Sequence, residues 1–284
     1  MNNNKTPALR VFTLTTLAML AFAGNSLLCR VALKETDLDA ASFTTIRLLS
    51  GALVLWLLVQ LRRSEASGKG NMLSALALWV YAAGFSFAYI SLDAGIGALL
   101  LFGAVQATMI GYGLWRGERF TRLQVLGLVL ALGGLIGLLL PGLSAPPLAG
   151  SLLMLLAGVA WGVYSLRGRG AGDPTRVTAG NFIRAVPVAL LLSLLMLPQA
   201  QLDPVGVGYA IASGALASGV GYALWYTVLP LLQTTRAATI QLSVPVIAAA
   251  GGVLLLGEAV SLRLLLASCA ILGGIALVIW EKRS

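Results

Sequence analysis

The chain has 284 residues, of which 58% are hydrophobic and only 10% charged. A soluble domain carries about 25% charged and 45–50% apolar residues, so an ordinary soluble enzyme, a disordered chain and a DNA-binding domain are excluded. The net charge of +9 is read as basic loops on one side of a bilayer and not as a nucleic-acid signal, and the lack of any His excludes His-based metal sites, triads and proton relays.

A membrane-crossing helix needs about 20 mostly apolar residues. Ten stretches qualify, at 11–33, 40–61, 72–92, 95–115, 122–140, 148–167, 178–197, 205–229, 236–256 and 262–280. They are rich in Leu, Ala and Gly with few β-branched runs, which favours helices over barrel strands. Breaks at Arg62–Gly70, Pro141–Pro147, Gly168–Pro174 and Pro198–Pro204 are too short for a soluble domain. Ala21-Phe22-Ala23 behind Lys5 and Arg10 resembles a signal-peptidase site; the first stretch is nevertheless read as a retained helix, because cleavage breaks the repeat described below. Cys29 and Cys269 lie in apolar runs and are read as core thiols.

Fourteen of the 19 Lys and Arg residues fall in segments on the N-terminal side of the membrane. Only Arg30, Lys34 and Arg263 fall on the other side, and Arg47 and Arg184 lie within spans. The excess of basic residues predicts cytoplasmic N- and C-termini.

The second half echoes the first. Gly111, Leu114, Gly117-Glu118 and Leu132-Gly133-Gly134 recur at a shift of 140 as Gly251, Leu254, Gly257-Glu258 and Leu272-Gly273-Gly274, and Ile46-Arg47 recurs at a shift of 137 as Ile183-Arg184. The chain divides into repeats at 1–140 and 141–284, five helices each. An odd number makes the second repeat enter from the opposite side. Such inverted repeats mark alternating-access transporters, with the substrate near the midplane. The expected fold is an all-α polytopic membrane protein with ten transmembrane helices as two inverted five-helix repeats.

These features resemble the EamA family of the drug/metabolite transporter superfamily. Leu114-Trp115-Arg116-Gly117-Glu118-Arg119-Phe120-Thr121 resembles that family's "LGER-T" turn, and Leu254-Leu255-Leu256-Gly257-Glu258-Ala259-Val260-Ser261 is its second copy. Family members often have Trp-Gly in the first helix; this chain has Ala23-Gly24 there and keeps Trp161-Gly162 in the second copy. The resemblance implies export of amino acids, other metabolites or drugs, and within the family the chain is most similar to the YddG-type aromatic amino acid exporters.

Ionisable residues inside a membrane usually face a cavity or the bundle interior. Arg47 and Arg184 are each expected to hold a substrate carboxylate, or else to bond backbone or snorkel to headgroups. Uncharged candidates for the substrate pocket are Asn25, Ser26, Tyr89, Gln106, Trp161, Tyr164, Ser218, Tyr222, Tyr226, Gln241 and Ser243. They offer hydrogen bonds to the ends of a zwitterion and rings to an apolar side chain. Tyr81 and Tyr209 are read as interfacial. Glu118 and Glu258 are expected to stabilise the helix that follows each of them. No Asp or Glu lies deep in a span, so uniport or exchange is expected in place of proton coupling.

Gly133 with Gly137, and Gly158 with Gly162, predict close helix approach; Pro187, Pro230 and Pro245 predict kinks. The expected function is export of amino acids, apolar or aromatic ones preferred, with a multidrug exporter or a sugar-phosphate-type anion exchanger as alternatives. No catalytic set, metal site or cofactor motif is present in the sequence. The partners expected are a small-molecule substrate and the lipid bilayer, not nucleic acid. One chain holds both halves, so a monomer suffices.

Overall fold

The computed structural model describes residues 8–61, 67–117, 119–142, 145–168, 171–232, 237 and 240–281. The helices are α1 (Ala8–Glu35), α2 (Ala40–Leu61), α3 (Met72–Tyr89), α4 (Ala94–Trp115), α5 (Arg122–Leu139), α6 (Leu148–Gly168), α7 (Pro174–Leu195), α8 (Pro204–Leu231), α9 (Ser243–Leu256) and α10 (Leu262–Glu281). Among the described residues all but α9 are long and apolar enough to cross a bilayer. The architecture is that of a polytopic all-helical membrane protein.

Local chemistry sets the starts. Asp173 accepts the Arg176 N–H and Pro174 occupies the first turn, so α7 begins a turn before the expected residue 178. Asp203 and Pro204 open α8 in the same way. Thr121 and Gln124 form a reciprocal cap on α5.

The largest departure is α9, expected over 236–256. Its continuous part is the 14-residue helix from Ser243, with Pro245 in its first turn and left-handed Gly257 (φ 62°) closing it, while Ala237, Ile240 and Gln241 before it are also helical and Leu242 is a turn. At 1.5 Å per residue that continuous part spans about 21 Å, short of the ~30 Å core. The expected kinks are of different kinds. Pro187 stays inside α7, whereas Pro230 sits in a 3₁₀ turn that ends α8. The middle of α8, Ser213–Val220, winds as a π-helix.

Loops define two faces. The α2–α3 and α6–α7 links meet where Asp173 N–H donates to Ser67 O (2.8 Å). On the opposite face Asp39 N–H donates to Gln201 O (3.1 Å), tying the α1–α2 link to the α7–α8 link. The first face also carries the start of α1 and the end of α10; it is called the terminus face below. The principal helix pairings are α5 with α10, α2 with α7, α4 with α9, α3 and α4 with α6, α1 with α8 and α9, α3 with α7 and α2 with α8.

The bundle is packed with small residues and skinned with large ones. Ala18, Ala23, Ala82, Ala88, Ala98, Ala157 and Ala185 are fully buried, while Leu49, Leu53, Trp56 and Leu57 of α2 face outward. That is the distribution expected where lipid replaces water outside. Cys29 is buried as expected, but Cys269 is exposed on the outer surface of α10. At the α5–α10 crossing a Cβ on Gly274 overlaps the Gly127 carbonyl and meets Ala131 N at 2.7 Å. Gly158 and Gly162 likewise sit against α4 at Leu101, Ala104 and Thr108. Gly133 and Gly137 do not pack: a Cβ there meets nothing within 4 Å, because α5 turns its Gly127–Gly134 side inward.

Gly274→Ala is therefore expected to cost about 1–3 kcal/mol through overpacking, whereas Gly133→Ala is neutral or stabilising by up to about 1 kcal/mol through helix propensity. Thermal unfolding of both variants in the same detergent checks the contrast.

Candidate functional site

A cavity of about 570 Å³ lies between α1, α3, α4, α6, α7 and α8. It runs from Asn25, Tyr81 and Phe85 at mid-bundle to Gly172, Pro174 and Leu232 at the terminus face. Its wall is a connected set of rings. Trp161 of α6 stacks on Tyr164 (5.1 Å between centroids) and on Tyr222 of α8 (5.2 Å), and packs on Tyr81 of α3 at 4.8 Å. Phe22 of α1 meets Tyr222 and Trp225 at 5.7 and 6.1 Å. Glycine at 162 lets Trp161's helix lie against Thr108 of α4.

The structure brings Asn25, Ser26, Gln106, Trp161, Tyr164, Tyr222, Tyr226 and Gln241 onto this wall. Ser218 is buried just behind it, where its Oγ accepts from Arg47 Nε (3.4 Å). Tyr89 is sealed above the closed end, its ring edge-on to Phe85 and its hydroxyl donating to Ala94 O (3.2 Å). Two expected residues lie elsewhere. Ser243 donates to Ile240 O within its own chain segment (2.7 Å) and does not line the cavity. Arg184 donates to Lys69 O (2.6 Å) and Gly180 O (2.8 Å) near the terminus face, the backbone alternative for that residue.

Tyr81 is the main residue that the sequence pattern misplaces. It lies halfway along α3, is 4% exposed, and is a wall residue, not an interfacial ring. Its hydroxyl oxygen accepts from Arg47 Nη2 (2.8 Å) and from Asn25 Nδ2 (3.2 Å), while Asn25 Oδ1 accepts from Ser213 Oγ (2.7 Å). Arg47 itself is 1% exposed and stacks its guanidinium over the Tyr81 and Phe85 rings, 5.1 and 4.8 Å from their centroids. The π segment of α8 makes this possible. Gly214 sits directly against the Arg47 carbonyl and Ser50, so α2 and α8 nearly touch and Ser213 and Ser218 reach the network.

The end opposite the terminus face is closed by charges. Arg30, at the end of α1, donates through Nη1 to Tyr89 O (2.9 Å) and Ile90 O (3.2 Å), through Nη2 to Asp93 (3.1 Å) and through Nε to Glu258 (3.3 Å). Glu258, in the α9–α10 turn, accepts the Ala94 N–H on both oxygens (3.0 and 2.9 Å). A cation thus meets the C-terminus of α3 and an anion the N-terminus of α4, each favourable with the helix dipole. Glu258 was expected to cap the following helix; it caps α4 instead, and α10 is capped by Ser261, whose hydroxyl accepts from Leu264 N–H (3.1 Å). Glu118, its counterpart in the first half, lies outside the described residues. Arg30 was counted as a loop charge, and its burial (7% exposed) was not legible from its position at a span end.

Burial pushes the Glu258 carboxyl above the usual carboxylate range, with Asp93 adding to the push and the Ala94 N–H and Arg30 opposing it. Arg30 is the cation that offsets this burial. Arg30→Gln is expected to destabilise by about 3–5 kcal/mol, since it strands the buried Glu258 carboxylate and loosens the carbonyls of Tyr89 and Ile90. Glu258→Gln is expected to cost clearly less, because its amide oxygen still accepts the Ala94 N–H. Thermal unfolding of the two variants side by side checks the order.

Comparison with known proteins agrees with this architecture. Residues 148–280 match the EamA-like transporter family. The chain is 60% identical over 274 residues to the "Uncharacterized protein PA1977" of Pseudomonas aeruginosa, covering 96% of each. It is 36% identical over 152 residues to the "Threonine/homoserine exporter RhtA" of Salmonella typhimurium, about half of each protein (51% and 50%). One solved crystal structure superposes with a TM-score of 0.67 at 18% identity, over 96% of this chain and 97% of that one; at this identity the likeness speaks for the fold alone. Residues 148–280 of the chain thus carry a domain of the EamA-like transporter family.

Proposed function

We propose that the protein exports amino acids, apolar or aromatic ones preferred, across the bacterial inner membrane by alternating access. The observation that carries this reading is the ring-lined cavity, reaching the terminus face and sealed at the other end by Arg30, Asp93 and Glu258. With the basic loops placed in the cytoplasm, the cavity is loaded from inside. Release on the far side then requires the Arg30 cluster to part. The two halves, 1–140 and 141–284, act as inverted repeats in this reading. Support comes from the helix pairings, whose principal set is unchanged when each helix is replaced by the one five places along. A single chain carries both halves, so the monomer is the working unit.

No carboxylate among the described residues lines the cavity, which favours uniport or exchange over proton coupling. A multidrug or sugar-phosphate reading has less support: among the described residues an organic cation finds no acid on the cavity wall, and a phosphate finds no cation on it, Arg47 standing behind the Tyr81 and Phe85 rings. A second reading within amino acids is favoured by the likeness to a threonine/homoserine exporter: a small hydroxylated side chain meeting Gln106, Gln241 or Thr178 on the wall.

Counterflow in proteoliposomes tests both. Unlabelled amino acids are loaded inside, and labelled Trp, Phe, Met, Thr, Lys and Glu are offered outside with no ion gradient. Protein-dependent uptake competed by aromatic and apolar amino acids is expected; uptake that appears only with a pH gradient overturns the uncoupled mechanism, and none in either condition overturns amino acid transport. Trp161→Ala is expected to weaken Phe and Trp uptake several-fold more than Thr uptake, in line with about 0.5–1.5 kcal/mol per ring contact. Equal loss for all three favours the threonine-like reading.

A further inference from the structure

We infer that Tyr81 and Arg47 form a carboxylate-binding subsite at the closed end of the cavity, with the Tyr81 hydroxyl as the donor facing the substrate. The inference rests on the amino acid reading above and specifies which end of the substrate is held where. It follows from counting donors and acceptors. A phenol oxygen has one proton to give and two lone pairs to share. Both lone pairs of Tyr81 are taken, by Arg47 Nη2 at 2.8 Å and Asn25 Nδ2 at 3.2 Å. The Ser213 hydroxyl holds Asn25 with its oxygen turned away from Tyr81 and its NH2 turned toward it. The Tyr81 O–H proton is thus left without an acceptor, on a ring that lines the cavity.

Arg47 gives the same answer independently. Its Nη1 is fully buried and has no hydrogen-bond partner among the described residues. A lone buried guanidinium without a carboxylate is costly in low dielectric unless an anion arrives. The described acids lie at helix ends and in links, Asp93 and Glu258 being already engaged with Arg30. The guanidinium stands directly behind the Tyr81 and Phe85 rings. Two donors short of acceptors, one of them cationic, are thus joined at one place: Tyr81 on the cavity wall, and Arg47 bonded to its hydroxyl from behind that wall. The complement is a planar anion with several lone pairs, and in an amino acid that group is the α-carboxylate. Arg47 polarises the Tyr81 hydroxyl and makes it a stronger donor, as hydrogen bonds to charged groups are the strong ones. The ring wall of Trp161 and Tyr222 then takes the side chain on the side toward the terminus face.

The test is competition in the same full-chain proteoliposomes, with labelled L-phenylalanine and L-threonine as probes. Each is competed by the free acid, by its carboxamide (phenylalaninamide, threoninamide), and for phenylalanine by phenethylamine. The wild-type protein is expected to prefer the acids at least tenfold. Tyr81→Phe, which removes only the hydroxyl, and Arg47→Lys, which keeps the charge but loses the planar donors, are expected to bring acid and amide within about threefold of one another. That loss of discrimination is a readout that mere destabilisation does not move, and either variant that keeps its melting transition suffices. If wild type takes up amino acids but amides and phenethylamine compete as well as the acids, the subsite is wrong and the transport reading stands. If discrimination survives in both variants, the carboxylate is held elsewhere. If neither probe enters, the amino acid reading fails and the subsite with it.

Discussion

The arrangement depends on how two helix ends are buried. α3 stops at Tyr89 and α4 starts at Ala94, both buried, so the last carbonyls of one helix and the first N–H groups of the other need partners at the same place. Arg30 and Glu258 supply the missing partners from α1 and from the α9–α10 turn. Because those two residues come from opposite halves of the chain, satisfying the helix ends also ties the halves together at one face. Burial keeps that tie from being lost to solvent screening. The closed end of the cavity is thus a by-product of backbone hydrogen bonding.

Closure at one end leaves the interior to be shaped by small residues. Gly214 at the α2–α8 contact, Gly162 against Thr108 and Gly274 against Gly127 bring backbones close, and each such approach displaces side chains toward the remaining space. The rings are large, and they collect where helices stand apart, which is the cavity. The π turns of α8 add the local shift that carries Ser213 to Asn25 and Ser218 to Arg47. Packing and polar satisfaction are in this way one constraint. The network around Tyr81 exists because α2 and α8 can touch, and they can touch because a glycine sits at their crossing.

Much of the fold was legible in the sequence, because a run of about 20 apolar residues has few stable homes besides a bilayer-crossing helix. The boundaries that moved did so for local reasons: Asp173-Pro174 starts α7 early, and Pro245 lies in the first turn of α9, whose start is late while its end at Leu256 stands where expected. The site was half legible. Polar and aromatic residues inside spans are rare enough to be noticed, so Asn25, Gln106, Trp161 and Tyr222 were visible as candidates. What one dimension does not carry is azimuth. Ser243 sits at a similar depth to Gln241 and turns its hydroxyl back to Ile240, and nothing in the residue types separates them. Tyr81 lies midway along both the expected span 72–92 and α3, so its depth was legible and its reading as an interfacial ring was a misplacement.

Arg47 and Arg184 make the sharpest case. They occupy corresponding places in the two sequence halves, yet one is 1% exposed among rings and the other bonds backbone carbonyls near the terminus face. Under the inverted-repeat proposal this difference is required. A protein closed at one face and open at the other holds its two halves in different conformations, so related residues must find themselves in different environments. Arg184 stands beside the open mouth, where Lys69 and Gly180 supply acceptors; Arg47 stands toward the sealed end, where the described residues supply rings, two hydroxyls and no carboxylate. Exchanging which face is closed exchanges those surroundings. A cation that is content with backbone in one state and short of an anion in the other is a means by which an anionic group can bias the equilibrium between them, since a ligand shifts a conformational balance only through a difference in affinity for its two ends.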